Sequence, residues 1–281
     1  MISINRQAPM DYHYLRHLAK TGGGYIHPHG KAATEILIES LALGENQRIL
    51  EIGCGTGATL VQIALRYNVQ IDGIDLLPEM LKVVRRRVSL TGVSQNVRLH
   101  LVESGSPLPF ENKSFDRVFA ESVLGFQGAV SAALLIKEVY RVLKEGGLFV
   151  VNDAIWKAPT SSEIVTFINQ SCLTDFGLRQ ASEQPWKLED WLALMEDTGF
   201  TVISYDLLEN YFSNGSLKNS KIISNKEMIS NLLTRFYRLK AYWQPSLFAQ
   251  WLRYRKLLIE HRNDGKFVES RLFVLKKLSN E

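Results

Sequence analysis

The sequence predicts a doubly wound α/β fold, a largely parallel sheet with helices on both faces. Three observations point there. From residue 48 onward short β-rich runs alternate with helical stretches, and that rhythm argues a parallel sheet covered on both sides. The first run, "RILEIG", opens into "GCGTG", whose glycines 53, 55 and 57 stand two apart. Glycine there supplies positive φ or lets another group approach the backbone closely. Finally, an acid, Asp75, closes the second run about 20 residues further on, the spacing at which a carboxylate reaches ribose hydroxyls bound at such a loop.

The elements follow in order. "RILEIG" (48–53) predicts the first strand and "GATLVQIALRYN" the first crossover helix. "VQIDGID" (69–75) is the second strand. The helix after it starts with Pro78, which suits a first turn, and stops at Gly92. "VRLHLVES" (97–104) and "FDRVFAES" (115–122) are the third and fourth strands, "SAALLIKEVYRVLKEGG" a helix and "LFVVND" (148–153) the fifth strand. The rhythm then changes. "SSEIVTFINQSCL" (161–173) reads as an extra helix, "KLEDWLALMEDTGF" (187–200) as a regular one and "TVISYDLL" (201–208) as the sixth strand. A polar stretch, 213–221, leads to two more helices. In the second, Leu247, Trp251, Tyr254 and Leu258 share a face, with Ser246 as N-cap. "ESRLFVLKK" (269–277) is the seventh strand.

Composition sets the bounds. With 281 residues, 46% hydrophobic and 22% charged, the chain can bury a substantial core and reads as a soluble globular protein. The formal charge of +4 demands no nucleic acid partner. Two cysteines, Cys54 and Cys172, are too few for a disulfide framework and point to a reducing, cytoplasmic setting. The first 20 residues lack the apolar core of a signal peptide, and the most apolar stretch (118–136) is broken by Glu121 and Gln127, which argues against a membrane span.

The glycine loop alone leaves its ligand open. Gly53, Gly55 and Ala58 satisfy a G-x-G-x-x-A dinucleotide pattern, so a nicotinamide or flavin cofactor fits these residues as well. His13, His17, His27 and His29 crowd the first 29 residues. Without a motif such as H-E-x-x-H they predict no metal site. They suggest instead a segment folded over the site, with Tyr25, His27 or His29 facing it and His29 as a candidate base. Glu121, closing the fourth strand, is a candidate to hold a cofactor, to take a proton or to brace a loop. Between 213 and 267 cations such as Arg235, Arg238, Arg253 and Arg255 interleave with Phe236, Tyr242, Trp243 and Trp251. That pattern fits a lid over a small acceptor, a membrane-surface contact or RNA, with the lid favoured. Trp156, Trp186 and Trp191 either join the lid or pack in the core.

Four motifs stand in order: "ILEIGCGTG", "GIDLLPEML", "SPLPFENKSFDRVFAES" and "EVYRVLKEGGLFVVND". Together they resemble the class I S-adenosylmethionine-dependent methyltransferases, in particular the small-molecule group similar to methyltransferase type 11, over about residues 28–153. "GYIHPHGKAATEIL" resembles a lead-in helix of such enzymes. The resemblance implies a seven-stranded Rossmann-like sheet with an antiparallel last strand. It implies a lead-in lid at 1–47, a core at 48–208 and 268–281, and helical cap insertions at 154–186 and 209–267. It also implies S-adenosylmethionine as cofactor, S-adenosylhomocysteine as product and a small-molecule acceptor, without DNA. Gly53, Cys54, Gly55 and Gly57 would receive the methionine part, Asp75 the ribose, and Leu76 with Met80 the adenine side, while Glu51 supports the loop amides. Glu103 and Ser104 would approach the adenine amino group. Here the chain departs from the family, which places an Asp where Ser104 stands. "ESVL" after the fourth strand differs from the Asn-Pro-Pro-Tyr motif of amine methylation.

Overall fold

The computed structural model describes residues 10–213 and 225–279. Two helices come first, α1 (His13–Thr21) and α2 (Gly30–Ser40). The sheet then begins with β1 (Arg48–Ile52), α3 (Ala58–Arg66), β2 (Gln70–Asp75), α4 (Pro78–Thr91) and β3 (Val97–Leu101). It continues through β4 (Phe115–Glu121), α5 (Ala129–Val142) and β5 (Leu143–Trp156). After α6 (Ser162–Phe176) and α7 (Leu188–Asp197) come β6 (Phe200–Leu207), α8 (Leu208–Ser213), α9 (Asn225–Tyr242) and α10 (Pro245–Glu260). A 3₁₀ segment (His261–Phe267) feeds the last strand, β7 (Val268–Lys277).

The strands form one sheet in the order β3-β2-β1-β4-β5-β7-β6. Strands β1 to β5 pair in parallel, and β7 enters antiparallel between β5 and β6. The strand order reverses between β1 and β4, which is where open sheets of this kind bind ligands.

Alternation along the strands builds two cores. On one face Leu50, Val118, Phe149 and Phe273 pack with Ile136 and Val139 of α5 and Trp191 of α7. On the other, Ile49, Phe119, Val150 and Leu272 pack with Leu37 of α2, Leu60 of α3 and Val84 of α4. Neighbouring strand residues thus serve opposite layers, as the two-residue period requires. Trp156 and Trp191 are buried and Trp186 packs edge-on against Trp191, so these tryptophans serve the cores.

Four local expectations are corrected. β5 starts at Leu143, five residues before the expected strand: Leu143 pairs with Phe115, and a bulge with Gly146 at φ +73° carries the chain on to Leu148 opposite Arg117. α10 is capped at Gln244 rather than Ser246, because Pro245 fits the first helical position and starts the helix earlier. On α10 Leu247 and Tyr254 are buried, but Leu258 is exposed and Leu257 packs with Tyr254 and Phe176 in its place. The short helix α8 follows directly on β6, where no helix was expected. Of the expected polar stretch 213–221, all but residue 213 lie outside the described residues.

One buried arginine ties α9 to α4 and to the turn after β1. Arg87 of α4 is 1% exposed. Its Nε donates to the Thr56 carbonyl at 3.0 Å, Nη1 to the Ser230 carbonyl and hydroxyl at 2.7 and 2.8 Å, and Nη2 to Thr234 Oγ1 at 3.2 Å. Burial pushes its pKa down to about 10, still charged at neutral pH. Replacing it leaves several buried acceptors without donors, each worth about 1–3 kcal/mol. Arg87→Leu is therefore expected to lower stability by about 2–4 kcal/mol. Hydrogen exchange should locate the loss first in α9; uniform loss across the sheet would contradict this.

Candidate active site

The carboxyl ends of β1 to β5 open into a cavity of about 590 Å³. The tight turn after β1 forms one side. Gly53, Gly55 and Gly57 have φ of +68°, +50° and +74°, values that a side chain disfavours. Their roles differ. A Cβ on Gly53 would meet Val123 at 2.5 Å and one on Gly57 would meet Val84 at 2.6 Å, so these two let the turn pack inward. A Cβ on Gly55 would meet nothing nearer than 4.0 Å and would enter the cavity.

Asp75, at the end of β2, is 8% exposed and joins the two strand ends. Its Oδ2 accepts from the Gly55 amide and its Oδ1 from the Leu77 amide, both at 2.8 Å. Burial drives its pKa up to about 6, against the pull of those amides. Two more amides of the turn are also spent: Cys54 N donates to the Ile74 carbonyl and Gly57 N to the Cys54 carbonyl. A dinucleotide pyrophosphate needs free amides at this turn, and those of residues 54, 55 and 57 are turned to the protein.

Acids dominate the crevice. Glu51 is buried; the Leu60 amide donates to it and its Oε2 has no partner. Burial, with the charges of Glu121 and Asp75, raises its pKa well above the ordinary carboxylate value. Glu121, at the end of β4, accepts from Thr59 Oγ1 at 2.7 Å and from Thr34 Oγ1 at 2.8 Å, and pairs with His27 Nε2 at 2.9 Å. Burial would raise the Glu121 pKa, but His27 and the two threonines hold it below the ordinary value. Burial would likewise lower that of His27, yet its bond to Glu121 carries it upward. The pair therefore favours carboxylate and imidazolium.

The structure sorts the expected residues plainly. Gly53, Gly55, Asp75, Leu76, Met80, Glu103, Ser104 and Glu121 line the cavity. Glu51, Cys54, Gly57 and Tyr25 stand behind it. The Tyr25 hydroxyl donates to Gln62 Oε1 at 2.6 Å, and burial with the nearby Asp75 and Glu51 charges raises the Cys54 thiol. His29 lies off the cavity, at the start of α2 with φ +61°, 3.7 Å from Glu209 and tilted on Phe212. The histidine that reaches Glu121 is His27. Sequence reasoning missed Asp153, whose Oδ2 accepts from the Val123 and Leu124 amides and whose pKa burial raises to about 6. It also missed Arg179, 3.6 Å from Glu183 on the cavity wall. The "VVND" strand end was a signal for Asp153; Arg179 follows α6 with no motif around it.

The four N-terminal histidines disperse: His13 bonds Asp11, His17 lies against Tyr254, and His27 and His29 go to Glu121 and Glu209. Among the described residues Cys172, His261 and Asp264 bring three metal-capable atoms within 4.8 Å. Hydrogen bonds already engage His261 on both sides, to Asp264 at 2.7 Å and to Asp175 at 2.9 Å.

A seven-stranded sheet with β7 antiparallel, a glycine turn backed by a buried acid and a crevice at the reversal point define a nucleoside-binding α/β protein of the methyltransferase type. A family model described as a methyltransferase domain matches residues 49–147. The uncharacterized methyltransferase YodH of Bacillus subtilis is 32% identical over 165 residues, 57% of this chain and 67% of that protein. The chain belongs to the class I S-adenosylmethionine-dependent methyltransferases. By shape it is similar to phosphoethanolamine N-methyltransferase 2 of Haemonchus contortus in complex with S-adenosyl-L-methionine, with a TM-score of 0.66, 20% identity and coverage of 95% and 57%. It is also similar to the [4+2]-cyclase SpnF, with a TM-score of 0.67, 18% identity and 98% of both chains covered. At those identities the likeness is one of fold. Among the described residues no helix is long and apolar enough to cross a membrane.

The Asp75 pKa gives the site a pH dependence. If a ribose diol donates to this carboxylate, as the sequence resemblance implies, protonation removes an acceptor. Affinity for S-adenosylhomocysteine should be level above pH 7 and about tenfold weaker at pH 5, one unit below that pKa. Calorimetry across this range tests it, and Asp75→Asn should abolish the dependence along with most of the affinity. A flat profile in the unaltered protein would contradict the assignment.

Proposed function

We propose that the protein moves the methyl group of S-adenosylmethionine to a small acceptor with an apolar body and an anionic group, and that the cavity at the strand ends is where this happens. The observation that carries the reading is the cavity's two-part character. Its acidic end, at Gly53, Gly55, Asp75 and Glu103, is continuous with an apolar end made by Tyr12, Leu15, Ile26, Phe126 and Leu178, with Arg179 beside them.

The acidic end suits the cofactor. Its sulfonium and ammonium groups are positive; Asp75, Glu103 and Glu121 line the cavity, and the buried Glu51 behind them feels the charges of Glu121 and Asp75, which a cation would offset. Asp75 takes the ribose hydroxyls, Gly55 leaves room for the chain and Met80, Leu76, Glu103 and Ser104 flank the base. The spent amides of the turn disfavour a nicotinamide dinucleotide, which would bring a pyrophosphate to the same place.

S-adenosylmethionine supplies an activated methyl on sulfur. The protein's part is to align the acceptor in line with that carbon and to keep water out, which can supply about 7–11 kcal/mol. α1 and the 177–180 segment act as a lid over the acceptor. Glu121 serves as a fixed anion beside the reacting carbon, since Thr59, Thr34 and His27 already engage both its oxygens. His29 takes no proton in this reading. Arg179 meets the acceptor's negative group.

The test combines binding and turnover. S-adenosylhomocysteine at 100 times its dissociation constant should stabilise the fold by about 2.7 kcal/mol, seen as a raised Tm, and NADH should not. Labelled S-adenosylmethionine, offered against a panel of apolar carboxylates, phosphates and neutral analogues, should label the anionic members. With such an acceptor Arg179→Ala should raise KM by about tenfold or more and leave S-adenosylhomocysteine affinity unchanged. Stabilisation by NADH, or equal labelling of neutral analogues, would count against the reading.

A further inference from the structure

Packing on α1 and α4 explains only one side of α9. Ser230, Leu233, Tyr237 and Ala241 form the inward stripe of α9 and are buried. A second stripe faces away from it: Ile229, Leu232, Phe236, Leu239 and Trp243 recur at alternating spacings of three and four residues and are 38 to 83% exposed. Residues at those spacings share a helix face. One helix thus carries two apolar faces, and among the described residues only one meets protein. α10 exposes Leu252, Leu258 and Ile259 as well. Burying such side chains is worth about 1.5–3 kcal/mol each, so the outward stripe is a strong anchor in search of a partner.

Charge selects that partner. Between residues 228 and 260 stand six cations, Arg235, Arg238, Lys240, Arg253, Arg255 and Lys256, all exposed, against one acid, Glu260, which lies 3.6 Å from Lys256. A second copy of the chain docked on this face would set like charges against like. A nucleic acid would use the cations and leave Ile229, Leu232 and Leu239 in water. A layer that is anionic at its surface and hydrocarbon beneath takes both. An apolar helix face bordered by Lys and Arg, with a tryptophan at one end, lies in the plane of lipid headgroups, the long basic side chains reaching along it to the phosphates.

We propose that α9, assisted by α10, docks the protein on an anionic phospholipid surface. Ile229, Leu232, Phe236, Leu239 and Trp243 enter the headgroup boundary, and Arg235, Lys240, Arg253 and Lys256 meet lipid phosphates, while Arg238 and Arg255 border the small cavity on the inner side. One helix of this length makes the attachment reversible and weaker at high salt. The placement also relates to the reaction cavity through α1, whose Tyr12 and Leu15 line that cavity while Tyr14, His17 and Leu18 line a smaller one of about 220 Å³ under α9 and α10. The proposal stands on the outward stripe and does not depend on which acceptor is methylated.

Sedimentation of the full chain with vesicles tests it. Binding is expected to vesicles of mixed phosphatidylcholine and phosphatidylglycerol, with loss in high salt, and to be far weaker with phosphatidylcholine alone. The pair Leu239→Gln and Trp243→Gln should weaken binding by about tenfold or more, and the pair Arg235→Gln and Lys240→Gln should remove the preference for anionic lipid. Tm and S-adenosylhomocysteine affinity, unchanged in both, show that the variants are folded. The proposal is overturned by absence of binding to any vesicle, by binding that the substitutions leave intact, by a dimer that the Trp243 variant dissolves, or by salt-sensitive RNA binding in place of lipid binding.

Discussion

The rest of the site depends on one carboxylate held by two amides. Asp75 takes Gly55 N on one oxygen and Leu77 N on the other, so the turn after β1 and the start of α4 are fixed against each other by the group that faces the cavity. The bond to Gly55 also determines what the turn cannot do. With the amides of residues 54, 55 and 57 donating within the protein, the glycine loop is a packed wall, and its opening toward ligand is the missing side chain of Gly55. A motif shared by dinucleotide and sulfonium-nucleoside proteins is resolved by where its hydrogen bonds go, which the letters alone do not carry.

Much of the fold was legible because it is local. The β-rich runs, Pro78 at the head of α4 and Gly92 at its end each state their own structure, and the sheet follows from their order. The interval from Gly55 to Asp75 was legible for the same reason: a crossover helix of fixed length separates two neighbouring strand ends. The failures are places where a competing local choice wins or tertiary packing decides. Pro245 outbids Ser246 for the start of α10. Gly146 lets a strand begin inside what reads as a helix end. His27 and His29 are two residues apart and equally plausible by pattern; the positive φ at His29 turns it toward Glu209 and leaves His27 to Glu121. Arg179 and Asp153 enter the cavity through the placement of α6 and of the 122–125 turn, neither of which a periodicity describes.

The electrostatics of the crevice follow from the same geometry. Three carboxylates converge where β1, β2 and β4 end, because the helices that follow the neighbouring strands β1 and β4 leave to opposite faces of the sheet. Glu121 finds His27, Asp75 finds backbone amides, and Glu51 keeps an oxygen without a partner. Acids gathered in this way favour a cation, and what gathers them is the layout of the strand ends rather than any one side chain.

Thr56 gives this layout a constraint on how such a protein can diverge. Its hydroxyl donates to the Gly23 carbonyl at the end of α1, and its own carbonyl accepts from Arg87, which in turn grips α9. The turn after β1 is therefore the anchor of the segment that follows α1 and, through Arg87, of α9, and a change there perturbs all three together. Leu15, Phe126 and Leu178 carry no such duty. Those walls can be reshaped for a new acceptor without loosening the fastenings, whereas a substitution in the turn disturbs everything it holds.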